Sequence, residues 1–357
     1  MTNIPTPYRI ALYSHLFRLF GEGFVVLFAA RREPNRLWRL GTLPFPHHFL
    51  AERITTKRDG FNYIHNNLDV VGYLRRFDPD VVITTGFNPT HLYAWGYAKW
   101  FGKRHIPMTD GTLLSETHLS WLHRLVRRVV FSTSDAFIGA SQGSLALYHH
   151  YGIDSKKCFQ SPLTVENEVF INSNGLANRP YDLLFVGNFI EIKNPLFFVA
   201  VLKSLCERGR HPKVLLIGEG RLKEALLLAL ADLEVEVSYV GFVEPIQIPA
   251  YYQKAKVLLF PTQHDAWGMV AHEALASGTP VVVTPYAGVA YELVQDDING
   301  FILPLVVSQW VVQVDRILCD VPLWERLSKQ AFASVLPYSS ERAVEGVRRA
   351  CEYRDAK

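Results

Sequence analysis

The sequence predicts an α/β protein built from two doubly wound parallel-sheet domains facing a cleft. Three observations lead there. The chain has 357 residues, too many for one ordinary core and suited to two domains. About half of it is apolar (49%), with 20% charged and 13% aromatic residues, which excludes a disordered or fibrous chain. Short β-branched runs alternate with helical stretches, the pattern of a parallel sheet covered on both faces.

In the first half, FVVLFAA (24–30), DVVITTG (80–86) and DAFIGAS (135–141) read as buried strands, with helices over 8–20, 62–77, 90–101, 117–130 and 143–151. The second half reads more plainly. YDLLFVG (181–187), KVLLIG (213–218), VEVSYVG (235–241), KVLLFPT (256–262) and PVVVT (280–284) are strands. Helices are expected over 194–208, 220–232, 246–254, 268–277 and 287–295. Asn194-Pro195 offers a cap and a first-turn proline, and Gly278 closes a helix before Pro280. The stretch 168–180 has three Asn, a Gly and a Pro with little periodicity, so the boundary falls there. The expected organisation is a first domain over 1–168, a linker over 169–180, a second domain over 181–340, and a terminal helix over 341–357 packing back on the first.

Charge is nearly balanced overall at +3, but the halves differ. Residues 1–170 are net +6, residues 171–357 net −3, and ten of thirteen histidines lie in the first half. A basic half points to an anionic partner. Four scattered cysteines (Cys158, Cys206, Cys319, Cys351) have no metal-like spacing and read as reduced thiols. The opening MTNIPTPYRI has no signal-peptide pattern, and no run of eighteen apolar residues exists. A cytoplasmic protein is expected.

Open α/β sheets bind ligands at the C-terminal ends of their strands, so the loops just after the strands are the candidates. Gly187-Asn188-Phe189-Ile190-Glu191-Ile192-Lys193-Asn194 follows one strand and opens a helix, a ready anion site with a nearby Lys. An ordinary strand–helix turn with a solvated lysine is the plainer reading of that loop taken alone. Asp265-Ala266-Trp267-Gly268-Met269-Val270-Ala271-His272-Glu273 follows another. Glu273 lies in a helix among small apolar neighbours, and a vicinal diol offers two O–H donors to its two oxygens. Gly268 leaves helix-start amides open to a phosphate or hydroxyl; a solvated Glu and a capping Asp are the plain alternative.

DAWGMVAHE followed by ALASGTPVVVT resembles the E-G-F-G-x-x-x-x-E…A-x-G-x-P-V-V motif of retaining family 4 (group 1) glycosyltransferases, whose fold is GT-B, two Rossmann-like domains. VGNFIEIKN is similar to that family's V-G-R-x-x-x-x-K-[GN] loop, and LLIGEG and YVGFV to two further landmarks, in order across about 181–304. The first half resembles the family's acceptor domain more loosely, at TPYRIALY, FDPDVVITTG and DAFIGASQGSLALYHHYGI. The resemblance implies that Lys193 binds the donor diphosphate, with Gly187 and Asn188 beside it. It implies that Glu273 accepts ribose hydroxyls and that Asp265 faces the transferred sugar. Gly268 with the Met269 and Val270 amides, Glu219, and Gly241, Phe242 and Val243 would complete the donor site. Asp110, in the loop where many relatives place a histidine, would be catalytic with Asp265 and Lys193. Tyr8 and Arg9 would lie on the acceptor side.

Asp265 stands where the family has Glu, Asn188 where it has Arg, and the strand that usually precedes the PYR segment looks absent. Asp110-Gly111 also fits an ordinary turn, and His105 reads as structural. Helix 121–130 is amphipathic and basic, with Arg124, Arg127 and Arg128. It could meet an anionic membrane surface, although a core-facing helix with a solvated basic face fits at least as well. The segment 31–58 (Arg31, Arg32, Arg36, Arg39, Arg53, Lys57, Arg58) could take a lipid pyrophosphate. Nothing accompanies it that reads nucleic acid. The function implied is a metal-independent hexosyltransferase without cofactor, taking a nucleotide-sugar donor and a glycan or lipid-linked acceptor in cell-surface polysaccharide assembly. A nucleotide-sugar 2-epimerase and a non-catalytic nucleotide-sugar-binding subunit are the alternatives.

Overall fold

A computed structural model describes residues 1–56, 63–117, 119–171 and 175–354. They form two units: Met1–Thr164 with Ser340–Lys357, and Val165–Ser339.

Unit 1 contains β1 (Val26–Phe28), β2 (His47–Phe49), β3 (Ile54–Thr56), β4 (Tyr63–His65), β5 (Val81–Thr84), β6 (Arg104–Thr109), β7 (Phe137–Gly139) and β8 (Cys158–Gln160). β5-β6-β7-β8 form a parallel sheet in that order, β1 and β2 pair parallel, and β3 and β4 antiparallel. Its helices are α1 (Pro7–Phe20), α2 (Val70–Phe77), α3 (Pro89–Trp100), α4 (Leu113–Glu116), α5 (Trp121–Thr133) and α6 (Gln142–His150), joined by the C-terminal helix Ser340–Glu352. That last helix buries Ala343, Val347 and Ala350 among Leu12, Phe28, Ile138 and Phe159.

Two expectations need correction here, and one strand went unread. The segment expected as a helix over 62–77 is not one helix: β4 occupies Tyr63–His65, α2 begins only at Val70, and Asn67 stands between them. Its buried side-chain amide donates to the carbonyls of Ala29 (3.0 Å) and Ala51 (2.5 Å), bonds that a helical turn would not allow. The sheet does not lack its first extended segment. Met1–Asn3 bond to β1 through Thr2 N–H to Leu27 O (3.0 Å) and reach Ile83 and Thr85 on the other side. The run 104–109 is a strand that Pro107 hides from sequence reading, since proline normally argues against a central strand.

Unit 2 carries six parallel strands in the order β11-β10-β9-β12-β13-β14, a doubly wound pattern. They are β9 (Tyr181–Val186), β10 (Val214–Ile217), β11 (Val237–Gly241), β12 (Ala255–Phe260), β13 (Val281–Val283) and β14 (Gly300–Ile302). Around them lie α7 (Asn167–Phe170), α8 (Pro195–Cys206), α9 (Lys223–Ala231), α10 (Pro249–Tyr252), α11 (Met269–Ala276), α12 (Val307–Cys319) and α13 (Val321–Val335). Leu183, Phe185, Val214, Leu216, Val257 and Leu259 pack between the sheet and these helices, which is why the strands read as continuous apolar runs.

The expected helix over 287–295 is absent. Single bridges and turns replace it, with Tyr291 held at φ 65°, and the segment lies flat against the loop after β12. Asn194 stands at the start of α8 in a left-handed conformation without a side-chain cap. Among the described residues, no helix is long and apolar enough to cross a membrane.

Candidate nucleotide-sugar site

The candidate donor residues all lie in unit 2, beyond the C-terminal ends of β9, β10, β11 and β12. Glycine lets these loops approach backbone to backbone. A Cβ at Gly218 would stand 1.9 Å from Gly187 O, and one at Gly220 would stand 2.4 Å from Phe189 O. The contact is sealed by Gly187 N–H to Ile217 O (3.0 Å), Phe189 N–H to Glu219 O (2.8 Å) and Leu222 N–H to Phe189 O (2.9 Å). Gly241 closes the row, its carbonyl accepting from Gly218 N–H at 2.8 Å. Phe242 next to it is 37% exposed, while Val243 turns inward.

The loop 187–194 is also tied across to β12. Ile192 O accepts from Gln263 N–H (2.8 Å) and from the Thr262 hydroxyl (3.0 Å). This delivers Lys193 to Asp265, Nζ to Oδ2 at 2.5 Å, with both side chains about one-fifth exposed. Asp265 is itself immobilised. Its Oδ1 accepts from Trp267 N–H (3.2 Å), and its backbone bonds to Tyr286 O and Gly288 N–H. Gly288 permits this, since a Cβ there would meet Ala266 O at 2.0 Å. The two oxygens of the Asp265 carboxylate are thus divided, Oδ1 to the Trp267 amide and Oδ2 to Lys193, and neither caps α11.

Gly268 begins α11 at φ 105° with no side-chain cap, so the Met269 and Val270 amides have no intrachain acceptor among the described residues. That is an uncommitted set of donors at the positive end of a helix dipole. One turn further, Glu273 receives the Tyr252 hydroxyl on Oε2 at 2.7 Å. Burial pushes the Glu273 carboxyl up to about 7, and the Tyr252 bond opposes that rise. Because the folded value exceeds the ordinary 4.5, ionising Glu273 costs stability. That cost grows as pH rises from about 4.5 to about 7. His272, the neighbouring side chain, is buried, accepts from Trp267 Nε1 at 3.4 Å, and is held neutral by burial with its pKa pushed down to about 3.

Glu219 accepts from the Tyr239 hydroxyl and from Lys223 Nζ (3.3 Å). Asn188 is exposed, and among the described residues no side-chain partner reaches it. Sequence reading missed Tyr252 and Arg179. Arg179 is 1% exposed, and its guanidinium donates to the carbonyls of Ala255 (2.7 Å) and Ser277 (2.8 Å) and to the Thr279 hydroxyl (2.6 Å). It was hidden as one basic residue inside an apparent linker.

In unit 1, Asp110 is exposed after β6, and Thr112 starts α4 with a capping box to Ser115. Burial raises the Tyr8 pKa first, the Asp110 carboxylate adds to it, and Arg9 and Arg36 oppose it, so these groups share one neighbourhood. His105 is structural, bonded to Thr84 (3.0 Å) and Ser134 (2.8 Å) and held neutral by burial at a pKa of about 3. Arg31 stacks on Phe49 and Arg36 pairs with Glu33 at 3.6 Å; Lys57 and Arg58 lie outside the described residues.

The picture of α5 as a core-facing helix is corrected. Val130 and Phe131 are buried, but Trp121 (74%), Leu122, Leu125 and Val129 are exposed. Arg127 turns inward instead, to Glu116 at 3.0 Å and over the Phe87 ring. No cluster of three metal-ligating side chains occurs among the described residues.

Two Rossmann-like units with phosphate-competent loops at the strand ends define the architecture of GT-B glycosyltransferases. Solved members superpose on nearly the whole chain. Anabaena Alr3699/HepE, crystallised with UDP, aligns at TM-score 0.77 and 13% identity over 98% of both chains. WaaG, involved in lipopolysaccharide biosynthesis, aligns at 0.69 and 15% over 99% of this chain and 100% of its own. Residues 166–333 match the model for glycosyl transferases group 1, and the domain they form belongs to that family. An uncharacterized glycosyltransferase of Methanocaldococcus jannaschii is 30% identical over 166 residues, 45% of this chain and 42% of that protein. The alpha-D-kanosaminyltransferase of Streptomyces kanamyceticus is 26% identical over 44% of this chain and 41% of its own. The chain thus spans less than half the length of these relatives.

Proposed function

We propose that the protein is a retaining, metal-independent glycosyltransferase. It moves a hexose from a UDP- or GDP-linked donor to a hydroxyl of a glycan or lipid-linked saccharide in cell-surface polysaccharide assembly, on the cytoplasmic side. The observation that carries this reading is the convergence in unit 2 of the Lys193–Asp265 pair, the open Met269 and Val270 amides, and Glu273. A cation and two N–H donors suit a diphosphate leaving group, and a two-oxygen acceptor suits a ribose diol. Asp265 would meet the sugar, and Asp110 would orient the acceptor.

Incubation of the purified protein with UDP- and GDP-hexoses and a polyprenyl-linked saccharide tests the reading. Transfer to the acceptor supports it. Binding with neither transfer nor hydrolysis would favour the non-catalytic subunit, and conversion of the donor without acceptor would favour the 2-epimerase. Glu273→Gln is expected to weaken nucleotide binding about tenfold to a hundredfold, because hydrogen bonds to a charged group contribute about 1.5–3 kcal/mol. Calorimetric titration with UDP and GDP reads it, and unchanged affinity removes Glu273 from the ribose role.

The exposed Trp121, Leu122, Leu125 and Val129 beside Arg128 support an anionic membrane surface as a partner of α5. With Arg127 committed to Glu116, apolar burial would supply most of the attraction. Each large apolar side chain buried contributes about 1.5–3 kcal/mol, so Trp121→Glu with Leu125→Glu should lower partitioning into phosphatidylglycerol vesicles by at least about tenfold. Flotation measures it, and an unaltered bound fraction would put the membrane contact elsewhere.

A further inference from the structure

Glu273 is held by a residue that the family resemblance does not assign. Tyr252 ends the short helix α10, is 0% exposed, and has its hydroxyl directed to Glu273 Oε2 at 2.7 Å. Its backbone is pinned as well. The Tyr252 carbonyl accepts from Arg179 Nη1 (3.3 Å) and from the Thr279 hydroxyl (3.0 Å), while the ring lies 6.1 Å from that of Phe170. A phenol fixed at both ends cannot swing away, so one oxygen of the carboxylate keeps a permanent donor. The other oxygen, and the second lone pair of the first, stay available for a ligand.

We propose that Tyr252 is a positioning residue for ribose recognition: it aims the Glu273 carboxylate and sets the pH window in which that carboxylate takes a vicinal diol. The inference rests on the reading of Glu273 as the ribose acceptor.

The surroundings of Glu273 leave this role to Tyr252. Glu166 just before α7 and Glu168 on it face solvent, and α13 presents Ser328 and Phe332 to Gly278 at the far end of α11. β12 carries one charged residue, Lys256, paired with Asp182 at 2.7 Å, β13 carries none, and His272 on α11 itself is neutral against Trp267. Lys193 is engaged with Asp265. Among the described residues, Tyr252 is the one side chain whose interaction shifts the Glu273 carboxyl, favouring its charged form against burial. Charge-assisted hydrogen bonds are about twice as strong as neutral ones, so a diol binds best once Glu273 is ionised.

The test follows the Glu273 carboxyl by pH-difference infrared spectroscopy of the unliganded protein, with Glu273→Gln as the subtraction. In parallel, UDP-glucose affinity is measured from pH 5.5 to 8.5, a range in which that probe's own phosphates stay ionised. In the wild type both midpoints are expected near pH 7. Tyr252→Phe should move both upward by about 0.5–1 pH unit, and Glu273→Gln should flatten the affinity profile. If Tyr252→Phe folds poorly, 3-fluorotyrosine at position 252, a stronger donor of the same shape, should move them downward.

A carboxyl midpoint unaltered by either replacement overturns the proposal while leaving Glu273 in its ribose role. A UDP-glucose affinity indifferent both to pH and to Glu273→Gln removes the ribose role itself, and the proposal with it.

Discussion

Lys193→Ala is expected to lower kcat by at least about 10²-fold. Charge on a diphosphate leaving group grows as the glycosidic bond breaks, so the lysine matters more in the transition state than before it. Removing one preorganised donor of this kind costs about 10²–10³ in rate, roughly 2.7–4 kcal/mol. Two features of this site push the effect toward the upper end. Asn188 occupies the position where the family motif has Arg, so no second cation stands in that loop position. Asp265, which takes Lys193 Nζ at 2.5 Å, would be left as an uncompensated carboxylate beside the incoming phosphates. KM should therefore rise together with the fall in kcat. Steady-state transfer kinetics with the identified donor measure both, and a variant keeping more than about a tenth of wild-type kcat would place the diphosphate elsewhere.

Gly218→Ala should be the most damaging single methyl group in unit 2. Gly218 sits at φ 138°, and the added Cβ would lie 1.9 Å from Gly187 O, where neither partner is a flexible side chain. Overpacking costs about 1–3 kcal/mol, and a disfavoured backbone conformation adds about 1–2. A loss of about 2–5 kcal/mol lowers Tm by roughly 4–20 °C in a unit of this size. The loops after β9 and β10 must also part, so stabilisation by added UDP or GDP should disappear. Gly209→Ala is the control. It too has positive φ (76°), but nothing stands within 4 Å of the new methyl, so only the conformational part of the loss should appear. Scanning calorimetry with and without nucleotide separates the two, and equal losses would mean that the close backbone approach is unimportant.

Unit 2 was legible in sequence because its strands are buried on both faces. Val281–Val283 and Val214–Ile217 carry nothing but aliphatic residues, in short runs that Pro280 and Thr284, and Lys213 and Gly218, bound. Unit 1 has strands such as His47–Phe49 and Cys158–Gln160 that mix polar residues into only three positions, so neither an apolar run nor an alternation registers. The segment 287–295 looked helical in composition, yet Gly288 is needed there for a backbone contact with Ala266 that no periodicity announces. At the site, loop residues following strands could be found because position and residue type coincide. Their supports could not. Tyr252 lies 21 residues before Glu273 and reads as one more core aromatic, and Arg179 gives no sign that five acceptors converge on it.

The course of the chain through unit 1 has a consequence for its synthesis. Unit 2 is one continuous insertion, Val165–Ser339, whereas unit 1 is completed by the terminal helix Ser340–Glu352. Arg104 in the central strand β6 donates to the carbonyls of Ala350, Cys351 and Tyr353, so the last turn of that helix is bonded to a strand made some 250 residues earlier. On the ribosome, unit 2 has all of its residues before unit 1 does. The half of the molecule that emerges first therefore waits with Leu12, Ile138 and Phe159 uncovered, and closes only once the helix Ser340–Glu352 has been made.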